Sequence, residues 1–200
     1  VLPEFRGLNL GFHLKLRQKD FALSQAIQQI RWTFDPLQAS NAKLNLNKLG
    51  AICRRFLPEY YGNLRSQLVH GSSDRLLAEW IVTSDRVKRI LDQGEQSRFI
   101  PGIPIALSCS TKTFDSKRLR VPEKLNLDLT FPETLIEIPA SLALVAETDT
   151  DLLKNWRLEV GKALHFYLGN GYIIEDLWIE NSENGKLAFY YLKYPESLTR

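Results

Sequence analysis

Twice along this chain, apolar residues at helical spacing give way, across a glycine, to runs that alternate in the manner of strands. That switch of period restricts the fold to one in which helices pack on a sheet. The clearer instance is C-terminal. From Asp149 to Leu168, the residues Leu152, Leu153, Trp156, Val160, Ala163, Leu164 and Tyr167 form one wide apolar face, and Gly169, Asn170 and Gly171 end it. Tyr172 to Ile179 and Leu187 to Tyr194 then alternate as two arms of a hairpin about Asn181 to Gly185, and Leu135 to Ile138 reads as the strand before the helix. The other instance opens with Arg31 to Phe34 as a strand. Asp35-Pro36 follows as a capping carboxylate and a proline at the first helical position. Ala39, Ala42, Leu46 and Leu49 supply the helix stripe, Gly50 stops it, and Ala51 to Leu57 and Leu76 to Val82 read as strands. Strand, helix, glycine, strand, strand is therefore expected to recur as a structural half-repeat.

Ahead of the first unit, a helix is expected over Phe12 to Gln29, with Phe12, Leu16, Leu23, Ile27 and Ile30 on the face toward the sheet. Ser84 caps a short helix through Leu91. Between Asp92 and Pro132 periodicity is weak and prolines recur at 101, 104, 122 and 132, so this stretch reads as an irregular excursion with one or two short strands. The fold class is α+β, a mixed α/β arrangement. It divides into residues 1–92, a connecting segment over 93–132, and a C-terminal strand-helix-hairpin extension over 133–200 packing on the same sheet.

Two hundred residues with 44% hydrophobic content suffice for a buried core. The 26 basic and 23 acidic side chains are interspersed, which argues against nucleic acid as a partner, and Lys112, Lys117, Arg118 and Arg120 read as a solvated loop. Cys53 and Cys109 stand in neither a redox nor a zinc spacing, so reduced thiols in a reducing compartment are expected. His13, His70 and His165 are scattered, and no metal is assigned. No apolar run approaches the roughly 18 residues of a membrane span and the start lacks a signal-peptide layout, so the expected location is cytoplasmic, with no membrane partner.

The segment that points to chemistry is Arg6-Gly7-Leu8-Asn9-Leu10-Gly11, between a strand end at Val1-Leu2 and the first helix. At such a junction several N–H groups lack helical partners and the helix dipole adds positive potential, so a diphosphate can be held by main chain alone. A purely structural glycine turn explains the same residues equally well.

The run Pro3 to Gly11 resembles the acyl-CoA signature of the GNAT superfamily of N-acyltransferases: Arg or Gln, two residues, Gly, one residue, Gly or Ala. Arg6 matches its first position and Gly11 its last, while Asn9 stands where a glycine is usual. Trp32 to Gln38, Asn41-Ala42 and Lys48 to Ala51 look like the strand, helix and glycine that follow. More narrowly, these runs together with Ser73 to Leu76, Glu79-Trp80, Ile138-Pro139, Trp156-Arg157 and Gly171-Tyr172 resemble a bacterial group of predicted GNAT acetyltransferases. The likeness is strong over residues 1–82 and weaker over 135–194.

The resemblance implies direct transfer from acetyl-CoA to the amine of a small molecule or peptide. It gives Arg6, Gly7, Leu8, Asn9, Leu10, Gly11 and Phe12 to the coenzyme diphosphate, and Trp32, Thr33 and Asn41 to the pantetheine arm. A tyrosine on the helix before Ala51 would protonate the departing thiolate, but Leu46 occupies that position. Tyr60 or Tyr61 either substitutes for it or serves in packing, and Glu79 is either a base or a charged strand residue. Trp32 and Trp80 line an acyl pocket or belong to the core. An alternative is a module that binds acyl-CoA without catalysis. In the superfamily several strands precede the signature turn, whereas here only Val1 and Leu2 do, and the chain has no methionine. It is therefore expected to fold as part of a longer polypeptide, with a partner segment, or as a homodimer.

Overall fold

The computed structural model describes residues 8–62, 73–94, 100–128, 130–182 and 185–195. Five helices and one mixed sheet of eight strands make up these residues, in agreement with the α+β class. Helix α1 spans Leu10–Ser24, strand β1 Gln29–Phe34, and α2 Ala39–Lys43, which runs on as a π-helical turn over Leu44–Lys48. Strands β2 (Ile52–Leu57) and β3 (Arg75–Ile81) follow, then α3 (Asp85–Gln93). The C-terminal half comprises β4 (Ile105–Phe114), β5 (Lys117–Leu125), β6 (Glu133–Ile138), α4 (Leu142–Thr148), α5 (Thr150–Gly169), β7 (Ile173–Ser182) and β8 (Gly185–Lys193).

The strand order β1-β3-β2-β7-β8-β6-β4-β5 realises the expected half-repeat. In each half the hairpin (β2–β3 or β7–β8) returns so that its second strand pairs antiparallel with the strand before the helix, β3 with β1 and β8 with β6. The halves meet at β2 and β7, which share one antiparallel register pair, Cys53 with Ile174. Side chains reinforce this thin seam. Asn47, 2% exposed, donates from Nδ2 to the Leu177 carbonyl (3.0 Å) and accepts the Leu177 N–H at Oδ1 (3.2 Å). Arg86 donates to the carbonyls of Gly50 and Glu175.

The main core lies on one face of the sheet, where Phe34, Cys53, Leu76, Trp80, Ile136, Ile174 and Tyr190 meet helical residues including Leu46, Leu49, Val87, Val145, Trp156 and Leu164. The stripe expected for α2 is fully buried: Ala42, Leu46 and Leu49 are each 0% exposed. Gly50 then takes a φ of 73°, and a Cβ there would lie 3.3 Å from the Val87 Cα, a position at which a side chain would be strained. A smaller cluster of Leu135, Trp178 and Phe189 occupies the opposite face.

Three local expectations are corrected. Residues 93–132 contain a hairpin of ten- and nine-residue strands that closes the far edge of the sheet. Alternation is hidden there because an edge strand carries charge freely and tolerates Pro122, whose missing N–H costs nothing beside the register shift at Ser108/Cys109. Asp35 does not cap α2; Pro36 and Leu37 form a turn, Asp35 Oδ1 accepts the Leu37 N–H (2.9 Å), and the helix begins at Ala39. Helix α1 ends at Ser24, where Ala26 adopts a φ of 57° and the Ile27 N–H returns to the Ala22 carbonyl. Its stripe is only partly covered: Phe12 and Ile30 pack on the core and Leu16 is half-buried, but Leu23 and Ile27 are exposed, so the sheet does not receive the whole apolar face.

Among the described residues no helix is long and apolar enough to cross a membrane.

Candidate functional site

Arg6 and Gly7 lie outside the described residues. From Leu8 onward the turn faces out, with Leu8 and Leu10 exposed. Asn9 is the N-cap of α1 in left-handed geometry (φ 58°), the conformation that a glycine would favour and asparagine tolerates. Its carbonyl accepts the N–H groups of Phe12 (3.0 Å) and His13 (3.2 Å), but its side chain makes no capping bond. Instead, Asn9 Oδ1 accepts from Lys48 Nζ (3.0 Å). The N–H groups of Leu10 and Gly11 find no acceptor among the described residues, and no acidic side chain stands in the first turn. A Cβ at Gly11 would meet only the Leu44 side chain, at 3.6 Å, so interior crowding does not demand glycine there.

The other residues assigned to the coenzyme divide between the two faces of the sheet. Trp32 points to the helical side, edge-on to Trp80 at 6.0 Å, with Lys15 Nζ 3.4 Å from its ring centroid. Burial there lowers the Lys15 ammonium pKa. Asn41 is exposed, and its Oδ1 accepts from Asn45 Nδ2 (3.2 Å). Thr33, next along the strand, points the opposite way, toward Tyr61.

Tyr60 and Tyr61 are exposed on the turn after β2, their rings edge-to-face at 4.9 Å. Hydrogen bonding to Thr33, and then to Arg75, holds the Tyr61 phenol below its ordinary pKa. Glu79 is 7% exposed, shares the Thr33 face, and accepts from Arg54 Nη1 (3.0 Å) and Gln29 Nε2 (3.3 Å). Tyr61 and Glu79 are thus brought to one face, and the turn at Asn9, which lies beside Lys48 of the α2 π-turn, belongs to the other. Leu46 is completely buried.

A cavity of about 840 Å³ opens between α4, α5 and the start of the β2–β3 connection, lined by Pro58, Ala146, Leu153, Leu158, Glu147 and Arg157 among others. Arg157 forms a two-pronged ion pair with Asp35, one contact at 2.7 Å, the side chains being 11% and 20% exposed. Its Nε is buried without a hydrogen-bond partner. Lys48 and Arg157 stand in the sequence only within the runs Lys48 to Ala51 and Trp156-Arg157 that carry the resemblance, and neither is expected there as a site residue.

The two thiols are poor nucleophile candidates. Burial, then the Glu79 carboxylate, drives the Cys53 pKa well up; burial, then Glu137, does the same to Cys109. A thiol whose folded pKa is raised contributes stability below its unfolded pKa of about 8.5, and this contribution fades as pH climbs past that value toward the folded pKa. Between about pH 8.5 and 9.5, unfolding free energy is therefore expected to fall by about 1 kcal/mol for each thiol. Urea titrations of the protein and of its Cys53→Ala and Cys109→Ala variants check this: each substitution should flatten the decline.

Among the described residues no group of three or more His, Cys, Asp or Glu is placed to hold a metal ion. No family model, curated protein or solved structure matches the chain.

Proposed function

We propose that this chain binds the diphosphate of an acyl-CoA at the head of α1, as a binding module without transferase chemistry. The observation that carries the reading is a fifteen-residue helix whose N-terminus is left uncapped by its own N-cap residue, with the outward N–H groups of Leu10 and Gly11 and the Lys48 ammonium beside it. Unpaired amides, a helix dipole and one cation are what a diphosphate requires. An aspartate or glutamate in the first turn would oppose it, and none is present.

The binding reading is favoured over transfer because Leu46, at the position of the expected proton donor, is a buried hydrocarbon. Tyr61 and Glu79 sit across the sheet from the turn, and Glu79 is already engaged by Arg54. A second reading, N-acyltransfer to an unidentified amine, rests on the Tyr61 phenol, whose lowered pKa suits a general acid.

Isothermal titration with acetyl-CoA and with CoA tests the first reading, and both are expected to bind alike. Lys48→Glu puts a negative charge beside the diphosphate and should weaken both by at least about tenfold, equivalent to ~1.4 kcal/mol. Absence of heat with either compound would remove the proposal. Steady release of free thiol from acetyl-CoA in the presence of amines, lost in Tyr61→Phe, would replace it with the transferase reading.

A further inference from the structure

The interspersed charges of the sequence argue against nucleic acid, but the fold alters the premise on which that argument rests. Cross-strand partners in an antiparallel pair share a face. Arg31 pairs with Glu79, Thr33 with Leu77, Arg55 with Leu77 and Leu57 with Arg75, so Arg31, Arg55 and Arg75 all lie on the sheet face opposite the helices. The register shift between Cys53 and Arg55 adds Arg54, whose guanidinium reaches Glu79 on that same face. Four arginines separated by up to 44 positions in sequence thus converge on three adjacent strands, spaced by about 5 Å.

Their surroundings leave the charge largely unanswered. Glu79 is paired with Arg54, while Arg31 and Arg55 are exposed and have no carboxylate partner among the described residues. Arg75 donates to the Asp74 carbonyl (2.8 Å), an interaction that does not neutralise it, and lies 5.0 Å from the Tyr61 ring centroid. At the end of the patch Tyr60 and Tyr61 present their rings, 51% and 45% exposed. Glu59 and Asp74 flank the turn outside the strands.

We infer that this face binds single-stranded nucleic acid, with phosphates held by Arg31, Arg55 and Arg75 and a base stacked on Tyr60 or Tyr61. A basic groove or face with exposed aromatic rings is the chemistry that unpaired bases on a phosphate chain require, whereas a duplex hides the base faces that tyrosine would stack upon. An anionic membrane would be met by apolar anchors, and the exposed rings here are phenols set among guanidinium groups. The inference is independent of the coenzyme reading, which concerns the helix-covered side.

Fluorescence anisotropy of the whole chain with labelled oligouridylate, over about 50 to 200 mM salt, tests it. Binding is expected in the range of about 1 to 100 µM, with a log–log salt slope near −2 for about three neutralised phosphates. Arg31→Gln with Arg55→Gln should lower affinity about tenfold and make the slope shallower; Tyr61→Leu should lower it several-fold and Tyr61→Phe should not. Circular dichroism establishes that each variant is folded. No anisotropy change, or a change indifferent to the arginines, overturns the proposal. So does binding that polyphosphate reproduces and Tyr61→Leu together with Tyr60→Leu leaves intact, since that is a mere polyanion site. Capture by phosphatidylserine vesicles without oligonucleotide binding would assign the face to a membrane instead.

Discussion

Replacing Trp80 with alanine is expected to lower unfolding free energy by about 5 kcal/mol, a large part of the roughly 5–15 kcal/mol of an ordinary domain. Trp80 is 0% exposed, packs edge-on against Trp32, and donates its indole N–H to the Leu49 carbonyl at 2.7 Å. Its loss opens a cavity between β3 and α2 and also leaves a buried carbonyl unpaired, where the π-helical turn hands over to Gly50. Trp80→Phe keeps most of the volume and drops the donor, so about 2 kcal/mol is expected for it. Urea midpoints of the two variants separate the terms. Equal midpoints for Trp80→Phe and the unaltered chain would mean that the Leu49 bond contributes nothing.

Cutting the ion pair that joins the two halves should be nearly as costly. Asp35 follows β1 and Arg157 lies on α5, 122 residues later, and both are mostly buried. Arg157→Met leaves the Asp35 carboxylate without its guanidinium, and about 3 kcal/mol of destabilisation is expected, since the orphaned charge stays desolvated. Removing both charges, Asp35→Leu with Arg157→Met, should recover most of that loss. The remainder reflects the Asp35 Oδ1 bond to the Leu37 N–H, which leucine cannot make. A double-mutant cycle by chemical denaturation measures the coupling. A double variant no more stable than Arg157→Met alone would show that the pair contributes through packing, not charge.

Much of the architecture was legible before any coordinates. The α5 face, the buried stripe from Ala39 to Leu49, the boundaries of the six expected strands to within three residues, and the half-repeat all follow from periodicity and glycine placement. Those signals are local, and burial on one side writes them directly into the order of residues. The hairpin over residues 105–125 was not legible, because an edge strand may carry Lys117, Arg118, Glu123 and Lys124 without penalty and so loses its alternation. Asp35 was misassigned for a related reason: aspartate before proline fits a helix cap and a turn equally well, and only Arg157 arriving from α5 decides how the carboxylate is used.

The candidate sites divide in the same manner. The turn from Arg6 to Gly11 stands out in the sequence because a helix N-terminus is announced by contiguous residues, and the resemblance alone gives Leu8 to Phe12 to a diphosphate. Lys48 beside Asn9 was not, nor was the separation of Trp32 from Thr33 across the sheet.

What the sequence determined by itself, then, is most of the helices and strands, α4 and the β4–β5 hairpin excepted, and the face that most of them bury, because those depend on neighbours one to four positions away. The tertiary structure alone decided which charges meet. Arg31, Arg54, Arg55 and Arg75 are unremarked positions in a balanced composition until strand register lays them on one surface, since electrostatic potential sums over space and takes no account of distance along the chain.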